Sequence, residues 1–355
     1  MAKIDKLLGL VAKREASDLH LQSGCRPRFR IDGLLEEFTE DPVLDANDLS
    51  AQVTEIMGPE DRARIIGLDE VDFSYGCDGT GRFRCNFYYD YCGPAAAMRL
   101  IPARIPTLRE LNMPERLESF AHLHSGLVLV AGPTGCGKSS TLAALVNIIN
   151  TNFRKHIITL EDPIEYMHTS NKSLIRQRAL YRDFTDFRTG IAAALREDPD
   201  VLLVGELRDL ESIRLALTAA ETGMLVFCTL HTAGAAQSID RIYDVYPENE
   251  QSEVRTLLSQ AIEGVISQVL LKRIDITGRI PATEVLIATP AVRNLIREGR
   301  TNEIANSLRT GRSHGMHSFS DSLEALVLEK KVDLAEAMTY AGARDRLEKT
   351  LVGRA

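Results

Sequence analysis

An apolar run, Leu127-Val128-Leu129-Val130-Ala131, leads directly into Gly132-Pro133-Thr134-Gly135-Cys136-Gly137-Lys138-Ser139. The second stretch fits G-x-x-x-x-G-K-[ST], and Thr141–Asn150 behind it has the pattern of a helix. A buried strand, a glycine-rich loop and a helix in this order predict a phosphate cradle. Glycines let the backbone turn its N–H groups inward around an anion, and the helix adds the positive end of its dipole. Lys138 can reach terminal phosphates, and the Ser139 hydroxyl can hold magnesium. The nucleotide-binding set is thus Gly132, Pro133, Thr134, Gly135, Cys136, Gly137, Lys138, Ser139 and Ser140. The loop alone leaves an ATP hydrolase, a GTPase and a kinase open.

The residues downstream narrow the choice. Ile157–Leu160, Val201–Val204 and Leu225–Leu230 are further continuous apolar runs with helical patterns between them. Strands apolar on both faces, alternating with helices, predict a parallel sheet covered on both sides. Such a sheet presents its carboxyl ends to a ligand. Val201–Val204 is followed by Gly205-Glu206, which places Glu206 beside the cradle, able to polarise a water against the γ-phosphate. Ile157–Leu160 ends in Glu161-Asp162-Pro163, and Leu225–Leu230 ends in His231. Three polar strand ends converge on one loop.

The first hundred residues have a different character. Residues 4–15 place Ile4, Leu7, Leu8 and Val11 at helical spacing. Asp18–Leu21 and Arg28–Ile31 alternate like strands, with Asp32-Gly33 as a hairpin turn and a mixed helical segment through about Ile66. Val71–Tyr75, Arg82–Tyr89 and Ala95–Ile101 read as further strands, with turns at Gly76–Gly81 and Gly93-Pro94. This is the pattern of a small α+β module on an antiparallel sheet. Pro102 and Pro106 mark a linker. The expected division is 1–102, a linker at 103–111, and 112–355. The last eighty or so residues read as helices, with Thr289-Pro290 as an N-cap and first-turn proline and Gly299 as a stop.

Composition excludes several alternatives. The 355 residues are 44% hydrophobic and 26% charged, as in a soluble globular chain. The net charge of −8 does not favour a surface that grips nucleic acid. No apolar stretch is long enough to cross a bilayer, and charges interrupt the N-terminal apolar stretch, unlike a secretory signal. The six Cys contain no C-x-x-C pair, so reduced thiols in the cytoplasm are the expectation.

Taken together, the motifs resemble the secretion ATPases of type II secretion and type IV pili. The Walker A run is Gly132–Ser139, and Thr159–Tyr166 resembles the family's Asp box. Leu203–Asp209 is similar to its atypical Walker B, with glycine where most P-loop proteins have Asp. Thr229–Thr232 through Asp240-Arg241 resembles the His box. Ala16–Leu21 and Gly81–Arg84 also fit, and Ala291–Glu298 resembles a motif of the pilus-retraction branch. The assembly branch usually carries a tetracysteine zinc site and a longer N-terminus; their absence here favours retraction. Cys136, Met224 and Cys228 depart from the commoner family residues and suggest a paralogue.

The resemblance implies an α/β fold: a RecA-like P-loop ATPase domain with a smaller PAS-like α+β N-terminal domain, assembled as a homohexamer. It implies ATP and Mg2+ as cofactors, with Glu206 as catalytic glutamate and Glu161 as a second essential acid near magnesium or water. His231 would sense or position the γ-phosphate. Arg84 and Arg99, and less clearly Arg82, match arginines that the family supplies in trans to a neighbour's nucleotide. The implied function is a cytoplasmic motor for pilus retraction and twitching motility, peripheral at the inner membrane, acting on a platform protein and the pilus base. An accessory paralogue, or the ATPase of a related secretion system, is the alternative. Arg293 and Arg297, one helical turn apart, are expected to share an exposed partner-facing side of their helix. Leu210, Ile213, Leu217 and Ala220 form a stripe expected to pack in the core.

Overall fold

The computed structural model describes residues 2–14, 16–31, 34–65, 70–101 and 104–340. The chain forms two compact units, Met1–Arg104 with Pro163–Met167, and Ile105–Asp162 with His168–Ala355. Residues 105–111, expected as linker, belong to the second unit, where Leu108 is buried against Met113, Leu117 and Phe120. The expected start of the linker at Pro102 and residue 103 lies outside the described residues, as does the Asp32-Gly33 turn.

The first unit opens with α1 (Asp5–Lys13), followed by β1 (Asp18–Gln22), β2 (Arg28–Ile31) and β3 (Leu34–Glu37). Helices α2 (Ala46–Ile56) and α3 (Pro59–Ile65) precede β4 (Glu70–Cys77), β5 (Gly81–Asp90) and β6 (Gly93–Ile101). The sheet runs β3-β2-β1-β6-β5-β4 with antiparallel neighbours. Alternation decides its two faces. Leu19, Leu21, Phe29, Phe83, Cys85, Phe87 and Met98 point into a core shared with Leu7, Leu8 and Val11 of α1 and Leu49 and Val53 of α2. Strand β3 corrects the helical reading of the segment after Gly33. All of its residues are exposed, so no burial pattern marks it in the sequence, and backbone pairing with β2 holds it.

The second unit begins its sheet with β7 (Gly126–Ala131), then α4 (Lys138–Asn152), β8 (His156–Glu161) and β9 (Leu174–Ala179). Helix α5 (Phe187–Ala194) leads to β10 (Val201–Val204), α6 (Leu210–Glu221), β11 (Leu225–Leu230), α7 (Ala235–Asp244) and α8 (Glu248–Ala261). The order is completed by β12 (Ile262–Lys272), β13 (Arg279–Ile287), α9 (Pro290–Arg297), α10 (Ile304–Thr310), α11 (Phe319–Leu328) and α12 (Leu334–Ala337). Strand order is β13-β12-β7-β11-β10-β8-β9, parallel throughout except for the antiparallel pair β12–β13.

Every residue of β7, β10 and β11 is buried, and the pleat sorts the run into two faces. Leu127, Leu129, Leu202, Val204 and Val226 pack with Ile213, Ala216 and Leu217 of α6. Val128, Val130, Leu203 and Phe227 pack instead with Leu142, Leu145 and Val146 of α4. Each such side chain contributes about 1.5–3 kcal/mol by leaving water.

Strand β13 corrects the all-helical reading of the C-terminal residues. It carries Pro281, which a sheet tolerates on an edge strand, where an N–H need not be paired. Helices α9 to α12 follow it, and residues 341–355 of the expected helical region lie outside the described residues. Thr289 caps α9 by accepting from the Val292 N–H, Pro290 opens the helix, and Gly299 closes it at φ 71°. Among the described residues no helix is long and apolar enough to cross a membrane.

The crossover 162–173 from β8 to β9 carries no helix and holds His168, whose buried Nδ1 has no hydrogen-bond partner among the described residues. Burial pushes the His168 imidazole down to about 4. An unfolded histidine titrates near 6.5, so between these values the unfolded chain binds the extra proton, and stability is lost as pH falls. Going from pH 7 to pH 5 should therefore destabilise the protein by about 2 kcal/mol more than a His168→Gln variant. Urea unfolding at both pH values measures this, and identical losses in the two proteins would refute it.

Candidate active site

The phosphate loop lies between the end of β7 and α4. Gly132, Gly135 and Gly137 take φ of 142°, 76° and 94°, conformations that side chains disfavour. Lys138 opens α4 and is buried at 8% exposure. Its Nζ donates to the carbonyls of Gly132 at 2.7 Å and Pro133 at 3.1 Å, so the loop's own carbonyls hold the ammonium at the mouth of the cradle. Cys136, at the variable position of the motif, is buried, and burial pushes its thiol pKa up. It behaves as a small core residue. Cys228 is fully buried in β11 and is likewise pushed up by burial.

One strand end meets the lysine, and a second is joined to it through the first. His231 follows β11 and brings Nδ1 to 3.5 Å from Lys138 Nζ. Its Nε2 lies 3.5 Å from Glu206 Oε1. An ammonium has only protons to offer, and a carboxylate has only lone pairs. The tautomer that satisfies both neighbours is the neutral ring with its proton on Nε2. Lys138, His231 and Glu206 thus form one continuous polar line at the carboxyl edge of the sheet. Arg208 closes the far side, 2.7 Å from Glu206 Oε2.

Glu161 ends β8, and its Oε1 accepts from Thr159 Oγ1 at 2.6 Å and Gln177 Nε2 at 3.1 Å. Gly205, between the end of β10 and Glu206, has a local reason for lacking a side chain. A Cβ there would lie 3.1 Å from the Leu160 carbonyl oxygen and 3.3 Å from Glu161 Cα. The Gly205 N–H donates to that same Leu160 oxygen at 2.7 Å, and the Thr229 hydroxyl donates to the Gly205 carbonyl. The three strand ends are therefore laced together where both acids emerge.

Sequence reasoning missed Gln268 of β12, which is buried at 2% exposure. Its Nε2 donates to the Cys136 carbonyl at 2.7 Å, and its Oε1 accepts from Thr141 Oγ1 at 2.9 Å. One amide braces both the loop and the helix after it. The available signal was a glutamine inside the apolar run Val265–Leu271. Arg208 was also given no role, although it stands two residues beyond Glu206.

The sequence-predicted arginines belong to the first unit. Arg84 of β5 and Arg99 of β6 are in direct register. Like charges so placed repel, and carboxylates offset this. Arg99 pairs with Asp18 at 2.8 Å, and Arg84 lies 3.9 Å from Asp72. Arg82, on the same face of β5, donates to Met167 Sδ at 3.3 Å.

The shared exposed face expected of Arg293 and Arg297 is corrected. Arg297 is exposed, but Arg293 folds inward. Its guanidinium donates to the carbonyls of Ala288, Ser259 and Gln260 and pairs with Glu263 at 2.7 Å. Ser259 and Gln260 lie in the last turn of α8, where free carbonyls and the negative dipole end attract a cation. Arg293 therefore ties α9 to the end of α8.

A family profile described as "Type II/IV secretion system protein" matches residues 1–350. A Pseudomonas aeruginosa protein described as "Type IV pilus retractation ATPase PilT" is 46% identical over 338 residues, spanning 95% of this chain and 98% of its own. A Neisseria gonorrhoeae "Twitching motility protein" is 48% identical over 303 residues, 85% of this chain and 81% of its own. The crystal structure of the pilus retraction motor PilT with bound ADP superposes with a TM-score of 0.91 at 40% identity, covering 98% of this chain and 100% of that one. The chain belongs to the type II/IV secretion system protein family and is an ATPase of the RecA-like, P-loop kind.

Proposed function

We propose that this chain is a homohexameric motor that hydrolyses ATP with Mg2+ to power pilus retraction and twitching motility. It would sit peripherally at the cytoplasmic face of the inner membrane, against a platform protein and the pilus base. The observation that carries the reading is the polar line Lys138–His231–Glu206 at the mouth of the phosphate loop. In this reading Gly132–Ser140 wrap the phosphates and Lys138 leaves its loop carbonyls for the terminal phosphate. Glu206 takes the proton of the attacking water, and His231 reports the γ-phosphate to both.

The donors available to magnesium are the Ser139 hydroxyl and the carboxylates of Glu161 and Glu206. These are hard oxygens of the kind that ion takes, and it commonly completes its shell with substrate phosphates and water. Magnesium bound there would neutralise charge on the phosphates. The first unit serves as the PAS-like domain. Arg84 and Arg99, with Arg82 beside them, would reach a neighbouring subunit's nucleotide. Arg297 would face a partner, while Arg293 holds the helix that presents it. The close relatives named for pilus retraction and twitching motility support this reading.

Deleting the gene should abolish twitching and pilus retraction. Wild-type protein should restore both, and Lys138→Ala should not. The purified protein should run as a hexamer by light scattering with ATP present. Retraction that persists at its normal rate in the deletion strain would favour the accessory role instead.

A further inference from the structure

Strands β8 and β9 are parallel neighbours, with Thr159 and Gln177 in direct register. Glu161, two residues beyond Thr159, returns to the same face of β8. Thr159 and Gln177 both donate to Glu161 Oε1, at 2.6 Å and 3.1 Å. The Gln177 amide is itself oriented, because its Oε1 accepts the His168 backbone N–H at 2.7 Å. Turned over, the amide would set its NH2 against an N–H and its oxygen against a carboxylate. A backbone group therefore fixes the amide, and the amide fixes the acid. His168 is the first residue after Pro163–Met167, the stretch of the β8–β9 crossover that packs with the first unit.

We propose that Gln177 is a positioning residue for Glu161 in ATP hydrolysis, aligned in turn by the His168 N–H. The proposal rests on the role given to Glu161 above. Gln177 touches neither nucleotide nor water in this scheme. It holds the Glu161 carboxylate in one orientation, so its loss should slow the reaction and leave substrate binding intact. Losses of about 10–100-fold are usual when a partner that orients a ligating side chain is removed. Thr159 remains to support the same oxygen, so the low end applies.

The test is steady-state ATP hydrolysis by full-length Gln177→Leu, Gln177→Met and Glu161→Gln, with ADP affinity and thermal midpoint as folding controls. Gln177→Leu should lower kcat about 10-fold with KM changed less than about 2-fold. Gln177→Met keeps the length of the side chain and removes both of its hydrogen bonds, so it should show the same split between kcat and KM. A Gln177→Leu or Gln177→Met enzyme with wild-type kcat, or one altered only in KM, overturns the proposal. If Gln177→Leu does not fold, the near-isosteric Gln177→Met decides the matter through the same split. Glu161→Gln separates the two layers. Wild-type turnover there removes the role of Glu161 itself, whereas an inactive Glu161→Gln beside normal Gln177 variants removes only Gln177.

Discussion

Glu206→Gln should bind ATP as the wild-type protein does and turn it over at least about 100-fold more slowly, the lower bound for removing a positioned general base. The carboxylate is held from both sides, by Arg208 at 2.7 Å and His231 at 3.5 Å. A glutamine of the same shape can keep its carbonyl oxygen toward Arg208. Its NH2 then meets the His231 Nε2–H, donor against donor. To recover a bond the imidazole must move its proton to Nδ1, which faces the Lys138 ammonium 3.5 Å away. The substitution thus removes the proton acceptor and also unsettles the histidine between it and the lysine. Nucleotide affinity, which depends on the loop glycines and Lys138, should stay within a few-fold. Phosphate release under saturating ATP and titration with a fluorescent nucleotide measure the two quantities separately. Turnover at the wild-type rate would remove Glu206 from the mechanism, and equal losses in both would mean that it holds the cradle together rather than acting on water.

How much of this was readable in the sequence differs from residue to residue. The cradle was legible because its chemistry is local. Gly132–Ser139 needs only the strand before it and the helix after it, and both are announced by hydrophobic runs. Glu161, Glu206 and His231 were legible because parallel strands put their carboxyl ends on one edge, so position along the chain became position in space. Strand β12 was not. Its buried Ser267 and Gln268 interrupt the apolar pattern, and only the Cys136 carbonyl and Thr141 hydroxyl, far away in sequence, explain why a glutamine is tolerated there. Gln177 was hidden in the same way, since its partners come from the neighbouring strand and the crossover. Arg293 misled because helical spacing reports which side of α9 it occupies but not where a long side chain ends. The carbonyls at the end of α8 drew it inward.

Gly132→Ala is expected to be the most damaging glycine-to-alanine change among the described residues, and the reason is a close approach rather than strain alone. A Cβ at Gly132 would penetrate the Gln268 backbone carbonyl oxygen and come within 2.7 Å of Cys136 Sγ. Backbone cannot swing aside as a side-chain tip can. Gly132 is also pinned, its N–H donating to the Leu230 carbonyl at 3.2 Å and its own carbonyl receiving Lys138 Nζ at 2.7 Å. Relief must therefore move the loop away from β12, breaking the Gln268 brace and the lysine's anchorage together. Overpacking of this kind and the strain of an alanine at φ 142° should together lower stability by about 3 kcal/mol and ADP affinity by at least about 100-fold. Gly135→Ala provides the contrast. At φ 76° it bears the conformational strain, but nothing lies within 4 Å of its Cβ, so a loss of about 1 kcal/mol is expected. Calorimetric unfolding and ADP titration of the two variants distinguish crowding from strain. If Gly132→Ala were no worse than Gly135→Ala, the contact between the phosphate loop and β12 would not be what fixes the cradle's shape.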